Sequence, residues 1–128
     1  MVLAAIIIKG DKMRKVLFTA VLVLLGGMVL ATADAAKGKE AFEAKCANCH
    51  GKDGKGDTTM GKKLKLADLT DAKAMSGKTE ADIAKIITQG GKAVGRSAMM
   101  GAWGEKLGEQ GVKDVVEHIK DLCKCKLK

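Results

Sequence analysis

The chain has 128 residues, a formal net charge of +8, four cysteines, no proline and only 2% aromatic residues. That length makes one small domain, and with so few aromatics its own core would be thin, because small domains bury the least of their surface. The lysines are scattered rather than gathered into a patch, which argues against nucleic acid, while a moderately basic surface suits acidic protein partners.

Two apolar stretches open the sequence. Residues 2–8 are separated from residues 16–30 by Lys9, Asp11 and Lys12, so neither run reaches the ~20 residues that cross a bilayer. From Met13 onward the pattern is that of a secretory signal: Arg14 and Lys15, then the apolar run, then overlapping A-x-A sites at Ala31-Thr32-Ala33 and Ala33-Asp34-Ala35. Residues 1–35 therefore read as an N-terminal extension and signal peptide, cut after Ala33 or Ala35, with translation starting at Met1 or Met13. Residues 36–128 read as a periplasmic domain that keeps no membrane insertion.

A short helix is predicted over residues 37–47, where Ala41, Phe42 and Ala44 are free of Pro or interior Gly after Gly38. It delivers the run Cys46-Ala47-Asn48-Cys49-His50, whose C-x-x-C-H spacing is that of covalent haem attachment. Two thiols three residues apart can add across the two vinyl groups on one edge of the macrocycle, and the following imidazole can ligate the iron. A structural zinc site would need four ligands at matching spacing, and Cys123 and Cys125 do not supply it. A thioredoxin-like site would need a helix after the motif, where Gly51, Gly54 and Gly56 stand instead.

Residues 51–63 read as a Gly- and Lys-rich loop around the cofactor, after which Leu64, Leu66 and Leu69 return apolar side chains to the core. Thr79 is an N-cap before Glu80 and Asp82, and Ile83, Ile86 and Ile87 mark a helix ending before Gly90-Gly91. Residues 94–104 read as a loop. The stripe Val112, Val115, Val116, Ile119 and Leu122 predicts a last helix over about residues 111–122. No strand and no internal repeat is predicted.

The second axial ligand has several candidates. Met99 and Met100 lie in the loop between the last two helices, where the chain can return to the face opposite His50, and a thioether suits ferrous iron. Met60 and Met75 read as core or surface residues, since flexible thioethers commonly fill gaps. His118, beside the apolar stripe, reads as a packing or surface histidine. Cys123-Lys124-Cys125, in a lysine-rich tail outside the predicted core, reads as a pair of exposed, adventitious thiols, because a bond between them would close a very small ring.

Gly38 and Phe42 ahead of Cys46-Ala47-Asn48-Cys49-His50-Gly51, then Asp53-Gly54-Lys55-Gly56, Met60-Gly61-Lys62-Lys63-Leu64 and Met100-Gly101-Ala102-Trp103-Gly104 together carry a resemblance. From Gly38 to Leu122 the chain resembles the small monohaem class I cytochromes c of bacterial periplasms and photosynthetic lumens. The resemblance implies an all-α fold of three to four helices wrapped around one covalently bound haem c. It implies His50 and Met100 as iron ligands, Met100 over Met99 because Ala102 and Trp103 keep the family spacing. Phe42, Leu64, Leu66, Leu69 and Trp103 would lie about the haem, and the carbonyl of Thr59 or a neighbour would accept a hydrogen bond from the second nitrogen of His50. The chain departs from the family pattern at Gly101, where a proline is usual, and at His118, where an aromatic is usual and where the first and last helices would cross on Phe42, His118 and Ile119.

The function implied is one-electron transfer by a monomer between a redox donor and an acceptor with acidic docking surfaces, with no catalytic residue. Two other readings stand beside it. One is a five-coordinate or labile-Met haem that binds small ligands or reduces peroxide; the other is an electron-storing or docking subunit of a larger dehydrogenase or reductase.

Overall fold

In a computed structural model, residues 32–128 are described, so the predicted leader up to Ala31 lies outside the described residues. Six helices follow in order: α1 (Ala35–Lys45), α2 (Ala47–His50), α3 (Thr59–Leu64), α4 (Ala72–Met75), α5 (Glu80–Gln89) and α6 (Gly104–Cys123), with a 3₁₀ turn at Lys92–Val94 between the last two. No strand occurs among the described residues, and the fold is all-α. The count exceeds the three to four helices expected. The extra ones are the single-turn segments α2, α3 and α4, too short to leave a periodic pattern.

Two of the three longer helices, α1 and α5, start on a side-chain cap, whereas α6 has none. The Asp34 carboxylate accepts from the backbone N–H groups of Ala36 and Lys37 at the head of α1. Thr79 caps α5, as the sequence predicted, and Asp82 reaches back to the Thr79 N–H to complete a reciprocal capping box. Helix α1 begins and ends two residues before its predicted bounds, and the chain bends at Cys46 to start α2, so the C-x-x-C-H run is itself helical rather than following a helix. Part of the predicted loop 51–63 is α3, capped by Thr58. Helix α6 starts seven residues before residue 111 but is broken at Gly108, whose φ of 68° is left-handed.

The largest interhelical interface is the crossing of α1 on α6. Gly38 on α1 is buried against the backbone of α6, where a Cβ would collide with the Asp114 carbonyl. One turn further, Phe42 is 1% exposed and stacks edge-on to His118 at 5.2 Å between ring centroids. Ile83 and Ile87 of α5 and Met75 complete the core against Val112, Val115, Val116 and Ile119. His118 is thus a packing residue, and Met75, 1% exposed, is a core residue.

The reading of Cys123 and Cys125 as exposed thiols outside the core is overturned. Cys123 is 4% exposed within the core, and it is disulfide-bonded to Cys125. It lies one turn beyond Ile119, so it continues the apolar stripe. Lys124 then takes a left-handed conformation (φ 49°) that ends the helix and turns Cys125 back. The tail stays with the body: Lys128 donates its N–H to the Lys78 carbonyl, Glu80 donates to the Lys128 carbonyl, and Leu127 packs on the core.

Because the Gly38 site has no room for a methyl group, Gly38→Ala should force α1 and α6 apart and cost about 1–3 kcal/mol, read by denaturant unfolding. His118 tests the same crossing through pH. Burial lowers its pKa below the ordinary value, with Asp121 and Glu43 opposing and Lys39 reinforcing, and Nε2 is buried without a hydrogen-bond partner. The unfolded chain therefore binds a proton near pH ~6.5 that the folded chain refuses, and stability falls as pH drops through that range. His118→Phe should fill the same space, raise neutral stability by about 1 kcal/mol and flatten the loss on acidification between pH 7 and 5.

Candidate cofactor site

Helix α2 holds both attachment thiols and the imidazole within one turn, and its surroundings are fastened by backbone bonds. The Cys46 N–H donates to the Phe42 carbonyl, tying the bend to α1, and the Gly56 N–H donates to the His50 carbonyl at 2.7 Å. Thr58 is the clamp. Its hydroxyl donates to the Cys49 carbonyl at 2.6 Å and accepts from the Gly61 N–H at 2.8 Å, so one side chain joins the end of α2 to the start of α3.

Cys46, Cys49 and His50 face a cleft of about 90 Å³, partly open to solvent, whose other walls are Leu64, Leu66, Met99, Met100, Gly101 and Trp103. Lys45 and Ser97 stand at its rim.

The wall carrying Met100 is built from the end of α5. The Gly91 N–H donates to the Met100 carbonyl, the Arg96 N–H to the Gly91 carbonyl, and the Trp103 N–H to the Ile87 carbonyl. These bonds hold a segment without regular structure against a helix end. They also separate the two methionines: Met100 is half-buried and packs on the core, whereas Met99 is 63% exposed. Trp103 presents its other surface to Lys106, whose ammonium lies 4.8 Å from the ring centroid.

Burial, reinforced by the neighbouring Cys49, pushes the Cys46 thiol up to about 11, so it is a neutral thiol at neutral pH rather than a redox or metal-binding thiolate. Burial also holds His50 below the ordinary histidine range, leaving a neutral imidazole with a free lone pair. The Nδ1 atom of His50 is buried with no hydrogen-bond partner among the described residues, so the polypeptide alone does not satisfy this ring. The neutral Cys46 thiol, a second cysteine at Cys49, an incompletely satisfied imidazole, a half-buried thioether and an apolar cleft form the donor set of a c-type haem, and the residues present fit that group.

Of the residues expected around the cofactor, Cys46, Cys49, His50, Leu64, Leu66, Met100 and Trp103 line one cleft. Phe42 does not: it stands behind His50, with ring centroids 6.3 Å apart, and belongs to the helix crossing. Leu69 packs on the core near Gly54 instead of lining the cleft. Thr59 is exposed at the first residue of α3, and among the described residues no carbonyl accepts from His50 Nδ1. The residue in the chain that holds this turn is its neighbour Thr58. Its signal was legible: Thr58 opens a helix three residues before Gly61, in a stretch that Gly and Lys made look like loop.

The fold and the site together define a c-type cytochrome domain. The family described as cytochrome C oxidase, cbb3-type, subunit III matches residues 33–119, and the chain belongs to that family. The cbb3-type cytochrome c oxidase subunit FixP of Azorhizobium caulinodans is 37% identical over 91 residues, covering 71% of this chain and 28% of that protein. FixP of Bradyrhizobium diazoefficiens is 35% identical over 89 residues, covering 70% of this chain and 28% of that protein. The chain thus spans little more than a quarter of these curated relatives. Among solved structures, the KustC0563 c-type cytochrome aligns with a TM-score of 0.58 at 27% identity, covering 66% of this chain and 95% of that one.

Thr58→Val keeps the side-chain shape but removes both bonds of the clamp. It should lower stability by about 1–2 kcal/mol in denaturant unfolding, while Thr58→Ser, which keeps the hydroxyl, should cost less than half as much.

Proposed function

We propose that this domain is an exported, soluble, monomeric electron carrier holding one haem c between His50 and Met100. The observation that carries the reading is the placement of Met100: half-buried, in the same cleft as the C-x-x-C-H turn and anchored through its carbonyl to Gly91. When bound, haem c supplies a one-electron Fe(III)/Fe(II) couple.

Cys46 and Cys49 would hold the group through thioethers, and His50 and Met100 would ligate its iron. The Met100 thioether favours the reduced state, raising the potential relative to a site without it. Leu64, Leu66 and Trp103 give the cleft apolar walls, and the bonds that tie the Met100–Trp103 segment to Gly91 and Ile87 would keep the ligand in place during electron exchange. No side chain is asked to move a proton, in keeping with a carrier rather than an enzyme. Export to the periplasm rests on the basic, apolar and A-x-A pattern of residues 13–35. The net positive charge would steer acidic surfaces of a donor and an acceptor, and kinship with FixP supports a partner of the cbb3-type oxidase class.

Met100→Ala should abolish the methionine-to-ferric charge-transfer band, lower the potential and open the iron to carbon monoxide or cyanide. Met99→Ala should do none of these, and intact mass after denaturation should show one covalent haem. If the unaltered holoprotein lacks the band and binds carbon monoxide stoichiometrically, the five-coordinate, ligand-binding reading takes its place.

A further inference from the structure

We propose that the leader is cut between Ala33 and Asp34, and that the α-ammonium so created forms a buried charge pair with Asp114. The inference rests on the export reading above, which leaves two A-x-A sites open; the structure distinguishes them.

Asp114 is only 5% exposed, at the close crossing of α1 on α6. Its Oδ1 accepts from two donors, the Asp34 backbone N–H at 2.8 Å and Gln110 Nε2 at 2.8 Å. None of the ion pairs among the described residues includes it. A carboxylate this buried, supported by neutral donors alone, stands where a positive charge would be worth most. The atom nearest to supplying one is the Asp34 nitrogen.

Hydrolysis of the Ala33–Asp34 amide by a leader-removing endopeptidase consumes one water. Its hydroxyl goes to the Ala33 carbonyl carbon, and the liberated Asp34 amine takes up protons to become an ammonium 2.8 Å from Asp114 Oδ1. Little else is lost, since the one hydrogen bond made by the departing residues among those described is the exposed contact from Gln110 Nε2 to the Thr32 carbonyl, at 3.2 Å. A cut after Ala35 acts differently. It removes Asp34, and with it both the cap of α1 and a donor to Asp114, leaving the buried carboxylate on Gln110 alone.

A positive charge at a helix N-terminus is opposed by the macrodipole. Here two carboxylates answer it: the Asp34 side chain, which caps α1, and Asp114 of α6. The remaining charged group at this corner is the exposed Lys37, whose Nζ lies 3.9 Å from Asp34 Oδ2.

The test is to express the full chain in an exporting host, purify the holoprotein and determine its first residue by intact mass, expecting Asp34. The α-amine should then titrate about one unit above its ordinary ~7.7–8.0 range, equivalent to about a tenfold gain in the folding equilibrium. An amine whose folded pKa is raised stabilises fully below the unfolded value and loses that stabilisation as pH rises through the folded value, so stability should fall between about pH 8 and 9.

Asp114→Asn should return the amine to its ordinary range. A chain made to begin at Ala33, which moves the charge one residue away while leaving an amide on Asp114, should do the same and supplies the comparison should Asp114→Asn fail to fold. A periplasmic holoprotein starting at Ala36 overturns the inference and leaves export standing, and a chain that keeps its leader and stays with the cells' inner fraction overturns both. An Asp34 start with an unshifted amine overturns the charge pair.

Discussion

The close approach of α1 to α6 at Gly38 is the constraint on which the rest depends. Because the first helix lies backbone to backbone against the Asp114 carbonyl, Phe42 reaches His118 on one side and backs His50 on the other. The position of the haem motif is therefore set from behind by a helix crossing, not from the cleft side. A wider crossing would loosen Phe42, and the turn carrying Cys46, Cys49 and His50 would lose its floor.

From that floor the site is assembled out of two segments that share no regular structure. One is the Cys46–Gly61 region, closed on itself by Thr58 and by the bond from Gly56 to His50. The other is the Met100–Trp103 segment, hung on the end of α5 by Gly91 and Ile87. The first half is held by the Thr58 hydroxyl and a backbone bond, the second by backbone bonds alone, which leaves the cysteine, histidine and methionine side chains free to face the cleft. This suits a site for electron transfer, where little rearrangement between redox states is wanted.

The tail and the helix head are tied into the same body by unlike means. At the end of α6 a left-handed Lys124 and the bond between Cys123 and Cys125 return the chain to Lys78 and Glu80. At the start of α1 the Asp34 cap and the Asp114 carboxylate secure the first turn against α6. A domain whose aromatics are Phe42 and Trp103 has little apolar bulk to spare, so a bound cofactor would add to its core as well as to its chemistry.

The sequence by itself determined the elements whose signals are local. The C-x-x-C-H spacing, the N-cap at Thr79, and the stripe from Val112 to Ile119 needed no partner to be read, because covalent reach, capping and helical period are properties of neighbouring residues. Only the tertiary structure decided which apolar residues face the cofactor and which face the crossing: Phe42 and Leu69 left the cleft, Leu64 and Leu66 stayed. It decided that the Thr58 hydroxyl joins α2 to α3, a role not assigned from the sequence, and that Cys123 lies in the core. The physical reason is the same in each case. Burial and hydrogen-bond partners are set by contacts between residues far apart in the chain, and a one-residue shift on a helix or turn sends a side chain to a different neighbour without altering the local pattern.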